Sequence, residues 1–175
     1  MIICFKGVGV VQNNKVLKRI RYALKYRDKK MKKIFAFGGL DLSLDEINGL
    51  LVNESDPTYK NCSNKHLHCF LNGLIFFNRS SEGETPSEPP FIKISKHNAN
   101  NLVIKKLKIA FKFSQEEIIH IFNLGELPVT TTEVNGIFRG EKSKMYRECG
   151  DKYIRKFLKG LAILLRSKAK AEELL

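Results

Sequence analysis

Residues 13–26, NNKVLKRIRYALKY, return 87 positions later as residues 100–113, NNLVIKKLKIAFKF. In both copies an Asn-Asn pair leads into apolar residues spaced three and four apart, with Lys and Arg between them. That spacing predicts an amphipathic helix rather than a strand. In the first copy the apolar positions are Val16, Leu17, Ile20, Ala23 and Leu24, and the expected helix runs from Lys15 to Tyr26. Its twin is expected from Leu102 to Phe113. Asn14 and Asn101 are residue types that cap helix N-termini, which is the role expected of them here.

The register set by this pair continues without a gap from Asn13/Asn100 to Arg79/Arg166. It carries Ile34/Ile121, Phe35/Phe122, Gly38/Gly125, Glu46/Glu133, Asn48/Asn135, Gly49/Gly136, Tyr59/Tyr146, Cys62/Cys149, Phe70/Phe157, Gly73/Gly160 and Leu74/Leu161. Self-similarity held over several elements and their turns is the mark of an internal duplication. The fold expected is all-α, two homologous four-helix units, residues 13–79 and 100–166, joined by a polar linker over 80–99. A tail covers 167–175.

The other helices follow from stop and start signals. The second is expected over Lys29–Phe37, ended by Gly38-Gly39, and over Gln115–Leu124, ended by Gly125. Ser114 with Glu117 forms a capping box, and so do Ser43 with Glu46 and Thr130 with Glu133 at the start of the third helix. The fourth is expected over Asn64–Asn78 and Asp151–Leu165, with Leu67, Phe70, Leu71, Leu74 and Phe77 marking one buried face. Glycine is disfavoured inside a helix. Gly73 and Gly160 are therefore read as close crossings, and Gly49 and Gly136 as either crossings or helix ends. Sequence leaves open whether the units pack together or hang loosely on the linker. Its first half, SSEGETPSEPP, has the composition of an extended tether.

Residues 1–12, MIICFKGVGVVQ, form an N-terminal extension that lacks the basic start and cleavage site of a signal peptide. An edge strand, a dimer contact and a start codon upstream of the native one are all compatible with it.

The stretch Tyr146-Arg147-Glu148-Cys149-Gly150-Asp151, followed by Phe157-Leu158-Lys159-Gly160-Leu161-Ala162, resembles the signature of the YehS-like family. So do Asn13-Asn14 before Arg19-Ile20-Arg21-Tyr22-Ala23-Leu24 and Asn100-Asn101 before Lys105-Lys106-Leu107-Lys108-Ile109-Ala110. That family is a tandem-duplicated bacterial domain of unknown function, number 1456. The resemblance covers residues 13–166 and implies a small, cytoplasmic, all-helical protein. It brings no catalytic residue, cofactor or substrate.

Charge narrows the partners. There are 31 Lys and Arg against 18 Asp and Glu, a formal net charge of +13, and such a surface attracts polyanions. Lys15, Lys18, Arg19, Arg21 and Lys25 follow the outer side of the first helix, with Lys29 just beyond. Lys105, Lys106, Lys108 and Lys112 repeat the pattern. Two such helices are expected to grip nucleic-acid phosphates without reading sequence. The alternative is a protein-interaction adaptor or homodimer; anionic-membrane association would need a free apolar face on the same helix. No apolar run approaches a membrane span.

Other chemistries are weaker. Met31–Leu51 and Ile118–Phe138 have a helix-turn-helix-like layout, but the third helix of the first unit, LDEINGLLV, carries two carboxylates and no cation. Cys62, His66 and Cys69 are zinc-ligand types on one helical face, yet the twin keeps only Cys149. No nucleophile–base set recurs, and no phosphate-loop or Gly-x-Ser-x-Gly motif is present. The expectation is a non-enzymatic protein without metal or cofactor. Four cysteines without a CxxC pair fit a reducing cytoplasm.

Overall fold

The computed structural model describes residues 13–80, 95 and 97–172. The expectations for residues 1–12 and most of the linker lie outside them. Eight helices account for the regular structure among the described residues: α1 Asn13–Leu24, α2 Asp28–Phe37, α3 Leu44–Leu51, α4 Asn64–Arg79, α5 Ala99–Phe111, α6 Gln115–Leu124, α7 Thr131–Phe138 and α8 Asp151–Glu172. The all-helical duplication is as read from sequence.

The starts of three helices are closed as their residues dictate. Glu46, Glu117 and Glu133 receive the backbone N–H of Ser43, Ser114 and Thr130 at 2.8, 2.9 and 2.8 Å, and each hydroxyl accepts the return bond. A fourth box was not legible: Ser63 caps α4, and the His66 ring takes the place usually held by Glu or Gln, accepting Ser63 N–H at Nδ1 over 3.1 Å.

α8 runs well past Leu165, taking in most of the expected tail. Ser-Lys-Ala-Lys-Ala-Glu contains good helix formers and no stop signal. Lys168 also meets Glu117 at 3.5 Å.

The two units do pack together, and they exchange partners. Within each unit the second and fourth helices pair: α2 with α4, and α6 with α8. The crossings are glycine-lined. Phe35 and Phe70 meet above one at 5.2 Å, and their twins Phe122 and Phe157 meet above the other at 5.2 Å. The first helices then cross over. α1 lies chiefly on α8 of the second unit and α5 chiefly on α4 of the first. A single apolar cluster runs through both units, from Val16, Leu17 and Ile20 to Ile154, Phe157 and Leu161.

Asn14 and Asn101 are not caps. Both lie inside a first helix and are buried. Asn14 Nδ2 donates to the carbonyls of Leu50 and Lys60 at 2.9 and 2.8 Å, and its Oδ1 accepts Cys62 N–H at 2.9 Å. Asn101 repeats this with Ile137, Arg147 and Cys149 at 2.9, 2.8 and 2.8 Å. Asn13 and Asn100 add bonds to the carbonyls of Cys62 and Cys149 at 3.0 and 2.8 Å. The Asn-Asn pair therefore pins the segment between the third and fourth helices to the first helix. It also explains why a cysteine recurs there: a small buried side chain follows the clamp, and burial pushes both thiols up to about 12.

Candidate polyanion-binding surface

α1 divides into two sides. Val16, Leu17, Ile20 and Ala23 are buried. Lys18, Arg21 and Lys25, spaced three and four apart, form a stripe on the other side. Because the apolar side is covered by α8, α1 has no free apolar face for a membrane surface. No helix among the described residues is long and apolar enough to cross a membrane.

The stripe faces a hollow of about 260 Å³ where α1 meets α8. Lys18, Arg21, Tyr22, Lys25, Tyr26 and Leu51 line it from the first unit and Arg166 from the second. Arg21 is held in place: its Nη2 donates to Asp28 Oδ1 at 2.6 Å and its Nε to the Tyr26 carbonyl at 3.1 Å. Lys18 Nζ reaches Asn53 Oδ1 at 2.9 Å. The Arg166 guanidinium lies 4.2 Å from the centre of the Tyr22 ring, within cation–π range. Burial raises the Tyr26 hydroxyl, and Lys30, 4.0 Å above the Tyr26 ring, is lowered by its own desolvation.

Lys18 also borders a second hollow of about 340 Å³, with Asn14, Lys15, Arg19, Asn53, Glu54 and Tyr59. Lys15, Lys18, Arg19 and Arg21 thus lie along α1, and Lys25, expected inside the helix, follows its end at Leu24 and borders the same hollow as Lys18 and Arg21. Lys29 is exposed at the start of α2 and lines neither hollow. Arg166 was missed, and the only sequence signal for it was the repeat, which aligns it with Arg79.

The second set of cations is dispersed. Lys105 and Lys112 are exposed. Lys108 lies 5.8 Å over the Phe138 ring. Lys106, expected on the exposed basic face, is only 7 % exposed and donates to Asn72 Oδ1 of α4. The cause is the exchange of first helices, which turns this position of α5 into the seam. Tyr22 corresponds to Ile109, so its exposed ring is not repeated, whereas Tyr26 corresponds to the buried ring of Phe113.

Lys106 has a measurable signature. Burial lowers its ammonium to about 8 from the usual 10.5, with Lys105 adding to the effect and Cys69 opposing it. His68 is lowered by burial and by Lys106, and burial raises the Cys69 thiol. Folded protein therefore gives up the Lys106 proton at lower pH than the unfolded chain. Between about 8 and 10.5 the unfolded state binds more protons, so this group makes stability rise with pH. The stability of wild type relative to Lys106→Met should therefore increase between about pH 7 and about pH 10 in urea titrations. A constant difference would contradict this account.

Cys62, His66 and Cys69 serve other ends. His66 is occupied by the α4 cap, Cys62 follows the Asn14 clamp and Cys69 lies in the seam. No group of three metal-binding side chains occurs among the described residues.

Comparison with known proteins places the duplication in a wider setting. The family described as "Protein of unknown function (DUF1456)" matches the chain twice, over residues 13–80 and 100–167. The uncharacterized protein YehS of Escherichia coli (strain K12) is 33 % identical over 150 residues, which is 86 % of this chain and 94 % of that protein. No solved structure matches.

Proposed function

This chain belongs to the DUF1456 family and carries two of its units in tandem, and from that premise we propose that it is a non-enzymatic binding protein which holds nucleic acid by its phosphates, independent of sequence. The contact surface is the outer side of α1 and its seam with α8. The observation that carries the reading is the convergence of Lys15, Lys18, Lys25 and Arg166 there, supplied by both units and accompanied by few carboxylates. Phosphate contacts of this kind release counterions and give salt-sensitive affinity. The reading assigns the protein to the cytoplasm, in keeping with buried free thiols at Cys62, Cys69 and Cys149.

The backbone at Lys25 offers a second test of the reading. It follows α1 with φ +51°, in the left-handed region where glycine is favoured, and Lys112 does the same after α5 with φ +56°. A lysine there carries a backbone cost of about 1 kcal/mol that glycine would not.

The test is anisotropy of labelled DNA and RNA at about 50 and about 200 mM salt, where three phosphate contacts should lose roughly tenfold or more in affinity. Lys18→Glu with Lys25→Glu should weaken binding to every sequence alike and flatten the salt slope. Lys25→Gly should stabilise the fold by about 1 kcal/mol yet weaken binding. Lys112→Gly should give the stability without the loss. Absence of binding at the lower salt would end the proposal and turn attention to protein partners.

A further inference from the structure

We infer that the hollow at the α1–α8 seam receives one nucleotide of a single strand, its base on the open side of Tyr22 and its phosphate among Lys18, Lys25 and Arg166. This rests on the nucleic-acid reading above and adds the form of the ligand.

Tyr22 is 64 % exposed, unusual for a large aromatic side chain on a helix whose neighbours Ile20 and Ala23 are buried. One face of its ring is covered by the Arg166 guanidinium at 4.2 Å. A ring backed by a cation and open on the other side is a stacking platform.

Arg166 itself has no ion pair or hydrogen bond with another described residue, and its Nε is buried without a partner. Its charge is therefore not neutralised where it enters the hollow. Arg21, by contrast, is already paired with Asp28.

The twin seam is the internal control. Packing at the position equivalent to Tyr22 is met there by Ile109, 36 % exposed, and Arg79 donates to the Ile109 carbonyl at 3.4 Å. The duplicated architecture thus does not require an aromatic ring at this register. Tyr22 supplies what isoleucine cannot: a flat face of π electrons beside unpaired cations.

Size and access select the form of nucleic acid. The hollow, about 260 Å³, falls just below the usual range of ligand cavities, a scale that matches no more than a single nucleotide unit. In a duplex the faces of the bases are stacked on one another and closed to an aromatic ring; a single strand can turn a base out onto one.

The experiment measures binding of a short single strand and of its duplex to the full chain and its variants at low salt. Tyr22→Ala is expected to weaken single-strand binding by roughly five- to hundredfold, the worth of one stacked base, and to leave duplex binding unchanged. Tyr22→Phe should keep most of the affinity, and Arg166→Gln should lose single-strand affinity preferentially. Because Tyr22 is exposed, an unchanged melting temperature will show that the variants fold. If Tyr22→Ala leaves single-strand affinity intact, or weakens strand and duplex alike, the inference is overturned while salt-sensitive phosphate binding stands. Displacement of the strand by an equal concentration of nucleoside monophosphate would overturn it in favour of the free nucleotide. No binding of either form at low salt would remove both this inference and the reading beneath it.

Discussion

Gly160→Ala will destabilise the protein by about 3 kcal/mol, although alanine is the better helix former. A Cβ at Gly160 would collide with the carbonyl oxygen of Ile121 and stand 2.8 Å from Gly125 N. Neither atom belongs to a side chain that can rotate away. The Ile121 oxygen is also fixed in place, since it accepts Gly125 N–H at 3.0 Å. Relief requires α8 to move off α6, which would part Phe122 from Phe157. The propensity gain of about 1 kcal/mol is smaller than this overpacking cost, typically 1–3 kcal/mol when side chains can adjust. Gly73→Ala should behave alike, because its Cβ would meet the Ile34 carbonyl. Gly140, with nothing within 4 Å of its Cβ position, is the control: Gly140→Ala should be nearly neutral. Thermal melts should place Gly160→Ala roughly 6–12 °C below wild type. A neutral or stabilising result would mean that the helices do not approach as closely as described.

Asn101→Ala is the second large effect, an expected loss of about 4 kcal/mol. Its side chain satisfies three backbone groups, the carbonyls of Ile137 and Arg147 and the N–H of Cys149. A buried polar group left unpaired costs about 1–3 kcal/mol, and water entering the vacated space would recover only part of the sum. Asn101→Asp separates hydrogen bonding from packing. The carboxylate can still accept Cys149 N–H, but it presents charge to two carbonyls in a buried site, so its pKa will be raised. A group protonated more readily in the folded state favours folding as pH falls. The Asp variant should therefore be markedly unstable at neutral pH and recover as pH is lowered toward about 5. If both variants melt like wild type, the clamp is not a determinant of the fold. Asn14 offers the same experiment in the first unit.

These two sites also mark where sequence reasoning reached its limit. The glycines were legible as close crossings, because a glycine kept twice inside a helix implies a neighbour that excludes Cβ. The asparagines were legible as a repeat but were misread as caps. An Asn ahead of an amphipathic run has the same local appearance in either role. The partners that decide between them lie 36 to 48 positions away in the chain. The His66 cap was missed because imidazole is not the usual acceptor at that position. The basic stripe of α1 was legible from its spacing, whereas Arg166 was not, since it joins the stripe only across the seam.

Composition, periodicity and capping residues by themselves determined the number of helices, their approximate bounds, the duplication and the side of each helix that must be buried. They could not determine which copy supplies the neighbour. α4 and α8 are repeats of one another, so the apolar side of α1 fits either in pattern, and periodicity names a face but never its partner. Only the tertiary packing of both units decided that α1 goes to α8 and α5 to α4. That choice buries Lys106 against Asn72, because the seam passes through its position on α5. It also sets Arg166 over Tyr22, bringing cations from distant parts of the chain close enough to act on one ligand.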